Sequence, residues 1–167
     1  VAFGCPFEGR VDMRSVLADV ERYARLGVKR VTLGDTTGMA TPPSVRALYV
    51  ELRALSPDVM PIAHFHDTRG TGLPNAYAAL QMGVDQFDSS CAGLGGCPFA
   101  AHKGAAGNIC TEDFAFMCHE MGIETGIDLD RLIDCGFMAE RIVGHPLPGK
   151  VMKGGSLSRF RPPTTHS

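Results

Sequence analysis

Three features of this 167-residue chain predict an α/β fold, the second half of a (β/α)8 TIM barrel. Apolar runs of strand length alternate with segments whose apolar residues recur at helical spacing. That is the pattern of parallel strands joined by crossover helices. The motif Asp-Thr-x-Gly occurs twice, in "GDTTG" at 34–38 and "HDTRG" at 66–70, 32 residues apart. A repeat of that length, with polar residues at successive strand ends, describes one barrel unit after another. A closed eight-stranded barrel takes about 250 residues. The expectation is therefore about four parallel strands with their helices, followed by carboxyl-terminal helices.

The opening "VAFGCP" is extended in character, like the end of a strand, and it begins with Val1 rather than Met. It reads as a fragment or a processed chain. In "VDMRSVLADVERYARLG", Met13, Val16, Leu17, Val20 and Ala24 fall on one helical face, with Asp12 as cap and Gly27 as stop. "VKRVTLGD" is a strand ending at Asp35. "TPPSVRALYVELRALSP" has Thr41 before two prolines, a helix start, and Val45, Leu48, Leu52 and Leu55 on one face. A short strand from Val59 then runs into "AHFHDTRG". The helix "LPNAYAALQMG" and the strand "VDQFDSS", residues 84–90, complete the alternation. Beyond residue 110, "TEDFAFMCHEMG" and "DLDRLIDCGFMAERIVG" read as helices capped by Thr111 and Asp128. The domain reading is a partial barrel over 1–122, with a glycine-rich loop at 91–110. A helical segment of the same domain covers 123–145, and a Pro-, Gly- and Ser-rich flexible tail covers 146–167.

Composition excludes several classes of function. The chain is 44% hydrophobic and 20% charged, with a formal charge of -2. An isoelectric point near 6.3 gives no basis for nucleic-acid binding or for an acidic membrane surface. No apolar run approaches the roughly 18 residues of a membrane-spanning helix, and no sorting signal is visible. Six cysteines without a CxxC pair, in a chain with ample core residues, read as reduced thiols of an intracellular protein.

In parallel α/β proteins, function gathers at the carboxyl ends of the strands. Here those ends carry Cys5, Asp35, His64, His66, Asp67 and Asp88. His64 and His66 are two residues apart on one strand, so both imidazoles leave the same face and can share a metal ion. The alternative is one core histidine and one surface histidine. Asp35 is either an acid/base group or the cap of the loop that follows it. In "CAGLGGCPFAAHKGAAGNICTED", residues 91–113, five glycines surround Cys97, a poor packing residue that therefore reads as a reactive thiol. No Gly-Lys-Ser/Thr follows, so this is not a phosphate loop. Asn108 either offers an oxygen to a hard cation or caps a turn.

Taken in order, "FGCPFEG", "LGDTTG", "HFHDTRG", "DSSCAGLGGCPFA" and "GNICTED" resemble the carboxyl-terminal half of the 3-hydroxy-3-methylglutaryl-CoA lyase family, up to about residue 145. The resemblance implies a TIM barrel binding divalent Mg or Mn through His64, His66 and Asn108. It implies Cys97 as a catalytic loop thiol and Asp35 as an acid/base residue, with His64 also serving catalysis. The implied activity is retro-Claisen cleavage of an acyl-CoA to acetyl-CoA and acetoacetate, in a full-length homodimer. Its setting would be the cytoplasm of a bacterium or the mitochondrial matrix of a eukaryote. The CoA is substrate, so no organic cofactor is implied. Two departures stand out. The family's amino-terminal Arg-Asp-Glu strand has no counterpart here, which implies that the isolated fragment is inactive. The stretch from Cys97 to Asn108, with Ala101-His102-Lys103, is also longer than usual. The rival readings are a related lyase or synthase for another acyl-CoA or 2-oxo acid, and a non-catalytic half-barrel remnant.

Overall fold

A computed structural model describes residues 1–96 and 106–160. It divides into two compact units, Val1–Ser90 with Gly95–Ile109, and Cys91–Leu94 with Cys110–Ser167.

The first unit is built on a parallel sheet. Strand β3 (Arg30–Asp35) pairs with β4 (Met60–Phe65), which pairs with β5 (Phe87–Asp88). Between them run α2 (Pro42–Leu55) and α3 (Gly72–Gln81), the crossovers that parallel pairing requires. Strand alternation places Leu33, Ala63 and Phe65 in the interior. Helix α2 buries Val45, Leu48, Tyr49 and Leu52, and α3 buries Ala76, Ala78 and Ala79. Small side chains let α3 approach β4 and α2 closely. Helix α1 (Met13–Arg25) starts where the sequence predicts, with the Asp12 side chain accepting from the Arg14 N–H.

Two strands differ from expectation. The opening segment gives one backbone bond to the sheet, Ala2 N–H to Gly34 O at 2.8 Å. It then leaves as β1 (Gly4–Cys5), paired antiparallel with β2 (Gly9–Arg10). Gly4 permits this because a Cβ there would meet Met39 Sδ at 2.6 Å. Strand β5 is shorter than residues 84–90, because past Asp88 the chain changes partner and Ser90 N–H bonds Ile109 O.

The second unit contains α4 (Thr111–Glu120), α5 (Leu129–Val143) and the short α6 (Val151–Gly154) around Ala92, Ile133, Leu147 and Met152. Asp128 caps α5 as predicted, whereas α4 takes Cys110 as its cap and Thr111 as its first helical residue. The stretch from residue 146, which composition assigns to a flexible tail, carries α6 and a further helical turn at Ser158–Phe160. Sequence composition misses α6 because its anchor is remote. The buried Asp113 carboxylate accepts from Lys150 N–H and Val151 N–H at 3.0 and 2.7 Å.

Glu112 is fully buried in this unit and organises it. Its two oxygens accept the Ala92 N–H at 2.9 and 2.8 Å, and Oε2 accepts the Cys110 thiol at 3.0 Å. Ala92 sits at φ 54°, a left-handed conformation that costs a non-glycine residue about 1–2 kcal/mol. The carboxylate holds it there. Glu112→Ala leaves the buried Ala92 N–H without an acceptor. It is expected to destabilise the fold by about 1–3 kcal/mol, read as a lower urea midpoint with an unchanged m-value.

Candidate active site

At the carboxyl end of β4, the i, i+2 spacing does what the sequence predicts. His64 and His66 leave one face of the strand with Nε2 atoms 3.1 Å apart. His66 is buried, and its backbone N–H bonds Asp35 O at the end of β3. Burial, and then the neighbouring His64, hold the His66 imidazole below its ordinary pKa, which favours the neutral ring that has a lone pair to donate. Its Nδ1 is buried without a hydrogen-bond partner. Next along the sheet, Asp88 is in register with His64, and its Oδ2 lies 3.5 Å from His64 Nδ1.

Asn108 comes to the same strand end through backbone pairing. It forms an antiparallel bridge with His66, and the adjoining Ile109 N–H bonds Phe65 O. Gly107 permits the approach: a Cβ there would meet the Gly95 carbonyl carbon at 2.9 Å. The Asn108 Oδ1 accepts from the Ile109 N–H at 2.9 Å, which is the turn-capping arrangement. Of the two sequence alternatives for this residue, its bond shows the turn cap.

Asp35 is fully buried. By register it stands opposite Phe65, on the alternate face from His64. Its Oδ1 accepts the Met39 N–H at 2.8 Å, so it caps its loop, while Oδ2 has no partner. Burial pushes its carboxyl above the usual range. The N–H groups of Met39 and Ala40, then Arg69 and His64, pull it partly back. A buried carboxyl with one uncommitted oxygen and a raised pKa can hold and release a proton.

The two Asp-Thr-x-Gly repeats meet in space, which periodicity alone did not reveal. Arg69 Nη1 donates to Thr37 O at 2.7 Å, joining equivalent positions of the two loops. Gly38, at φ 63°, lies so close that a Cβ would come within 2.9 Å of Thr68 Cβ. The loop containing Cys97 lies outside the described residues, and so does that thiol.

Among the described residues, no group of three or more His, Cys, Asp or Glu side chains converges to hold a metal. Two imidazole nitrogens 3.1 Å apart are nevertheless close enough to bind one ion together. Asn108, whose backbone is bridged to His66, carries an amide oxygen, a donor type that suits a hard cation. The residues fit such an ion.

Comparison with known proteins decides the family. Residues 1–138 match the HMGL-like family. The chain belongs to it. It is 44% identical over 156 residues to an (R)-citramalyl-CoA lyase of Chloroflexus aurantiacus, covering 93% of this chain and 49% of that protein. To a cytoplasmic 3-hydroxy-3-methylglutaryl-CoA lyase of Danio rerio it is 47% identical over 135 residues, 81% of this chain and 40% of the relative. Its structure superposes with a TM-score of 0.87 on an HMG-CoA lyase from Acinetobacter baumannii, solved with coenzyme A and 3-methylmalate. That match has 46% identity and covers 96% of this chain and 52% of the other. The chain thus spans about half the length of the curated relatives it matches. The α/β class and the half (β/α)8 barrel expected from the sequence are borne out, and so is the resemblance to the HMG-CoA lyases. No helix among the described residues of this HMGL-like chain is long and apolar enough to cross a membrane.

Proposed function

We propose that this chain provides the cation-binding and proton-transfer residues of a lyase that cleaves 3-hydroxy-3-methylglutaryl-CoA to acetyl-CoA and acetoacetate. The observation that carries the reading is the convergence of two imidazole nitrogens at 3.1 Å at the end of β4. The buried Asp35 ends the neighbouring strand, where its backbone oxygen accepts the His66 N–H and its carboxyl feels the charge of His64. The 40–47% identity to HMG-CoA lyases supports the substrate class.

His64, His66 and Asn108 would hold the cation. A bound Mg or Mn ion would supply a Lewis acid for the hydroxyl and carboxylate oxygens of the substrate. Asp35 Oδ2 takes the proton from the substrate's 3-hydroxyl as its C–O bond becomes a ketone and the adjacent C–C bond breaks. The electron pair goes to the thioester-bearing carbon, giving the acetyl-CoA enolate. The Cys97 thiol delivers a proton to that carbon and is left as thiolate. Exchange with water restores both groups.

One observation favours a second reading. A relative with 44% identity is an (R)-citramalyl-CoA lyase, which favours a thioester with a different chain length as the substrate. A paired assay separates the readings. The intact protein, with Mg2+ or Mn2+, is given each thioester and release of acetyl-CoA is followed. Cleavage of 3-hydroxy-3-methylglutaryl-CoA with kcat/KM of at least about 10⁴ M⁻¹s⁻¹, above that for (R)-citramalyl-CoA, is the expected result. The reverse preference shifts the assignment to the second substrate. Turnover of neither leaves a non-catalytic barrel.

A further inference from the structure

Strand β5 contributes Asp88, whose carboxylate takes part in no step described above. The parallel register sets it directly beside His64, and its Oδ2 lies 3.5 Å from His64 Nδ1. The other ring nitrogen of His64, Nε2, faces His66 Nε2 at 3.1 Å. We propose that Asp88 is a positioning residue: it holds His64 in the Nδ1–H tautomer, so that the Nε2 lone pair is free for a divalent cation.

The argument is electrostatic. An ionised carboxylate only accepts hydrogen bonds. A ring nitrogen turned toward it is stabilised when it carries the proton and destabilised when it carries the lone pair. A neutral imidazole has one N–H, so placing it on Nδ1 leaves Nε2 bare. Without a cation, that lone pair accepts the His66 Nε2–H, which accounts for the 3.1 Å contact. It also leaves the bare nitrogen of His66 as Nδ1, the ring atom buried without a partner. One assignment of two protons thus accounts for the pair, the carboxylate and the orphaned atom. Metal-binding imidazoles commonly have a carboxylate or carbonyl partner at their second nitrogen, and loss of the outer partner costs about 10–100-fold in affinity. Asp88 acts through His64 and touches no reacting atom. Its side chain is half exposed, so the effect on the ring is moderated by solvent and replacement leaves the core intact.

The metal part of this proposal rests on the reading of His64 and His66 as ligands. The test therefore has two independent readouts on the intact protein. Long-range 1H–15N NMR of the metal-free protein reports which nitrogen of His64 carries the proton. Titration with Mn2+ alone, followed by the EPR signal of free Mn2+, reports affinity. In wild type the His64 proton is expected on Nδ1. In Asp88→Ala it shifts toward Nε2 and Mn2+ affinity falls about 10–100-fold. Asp88→Asn keeps a carbonyl oxygen in the same place and restores much of both. An unchanged His64 tautomer in Asp88→Ala overturns the proposal, whatever the metal does. A shifted tautomer with unchanged Mn2+ affinity overturns its link to the cation. A wild type that carries the Nδ1–H tautomer but binds no Mn2+ removes the ligand reading while leaving the tautomer assignment standing.

Discussion

Cys97→Ala in the intact protein is expected to lower kcat by about 10²–10⁴, the loss typical of removing a general acid, while Mn2+ affinity and the thermal midpoint hold. The expectation follows from its sequence setting. A thiol amid five glycines contributes little packing, so its loss should cost chemistry and not stability. The other cysteines are the natural controls. Burial, and then Glu112, push the Cys91 thiol up to about 11 and Cys110 higher still, and burial also raises Cys118. These three are slow to form thiolate and slow to alkylate. Cys135 differs from these three: it lies off the buried face of α5 that carries Ile133 and Gly136, and its thiol is exposed. The alkylation experiment therefore uses a Cys135→Ser background, in which iodoacetamide should abolish turnover and substrate should protect. Near-normal kcat in Cys97→Ala would remove the thiol from the mechanism and leave the cation site untouched.

The elements that were legible in the sequence are those whose cause is local. Helix α1 has its cap at Asp12 and its stripe at Leu17 and Val20, and β4 has two histidines at strand spacing, so residue order alone sufficed. Less legible were contacts made by residues far apart in the chain. The Asp113 carboxylate that caps α6 lies 37 residues before Lys150, and the Arg69–Thr37 bond crosses 32. No periodicity encodes such partners. Asp35 shows a third case. Its identity and place at a strand end were readable, but whether its carboxylate caps the loop or serves the site depends on each oxygen separately, and Oδ1 does the first while Oδ2 is free. Asp88 was visible only as a strand-end acid. Its pairing with His64 required the register of β5 on β4.

His66→Ala is expected to weaken Mn2+ binding by more than about 100-fold, beyond the loss typical of an outer partner, and to lower turnover with it. This variant separates the two readings of the histidine pair better than His64→Ala does. His66 is the buried member, so it is the one that a purely structural account would call a core histidine. On that account the substitution should act on stability alone. On the ligand account stability changes little, because two effects oppose each other. Removing the ring leaves a cavity, which costs folding energy. It also removes Nδ1, a buried nitrogen with no partner, whose desolvation the native fold has been carrying. The net change in unfolding free energy is expected to stay below about 2 kcal/mol. Urea denaturation measures that term, and EPR titration with Mn2+ measures the other. A loss of several kcal/mol with unchanged Mn2+ affinity would return His66 to the core and leave His64 a surface histidine paired with Asp88. A large loss of affinity with near-native stability places both imidazoles on one ion.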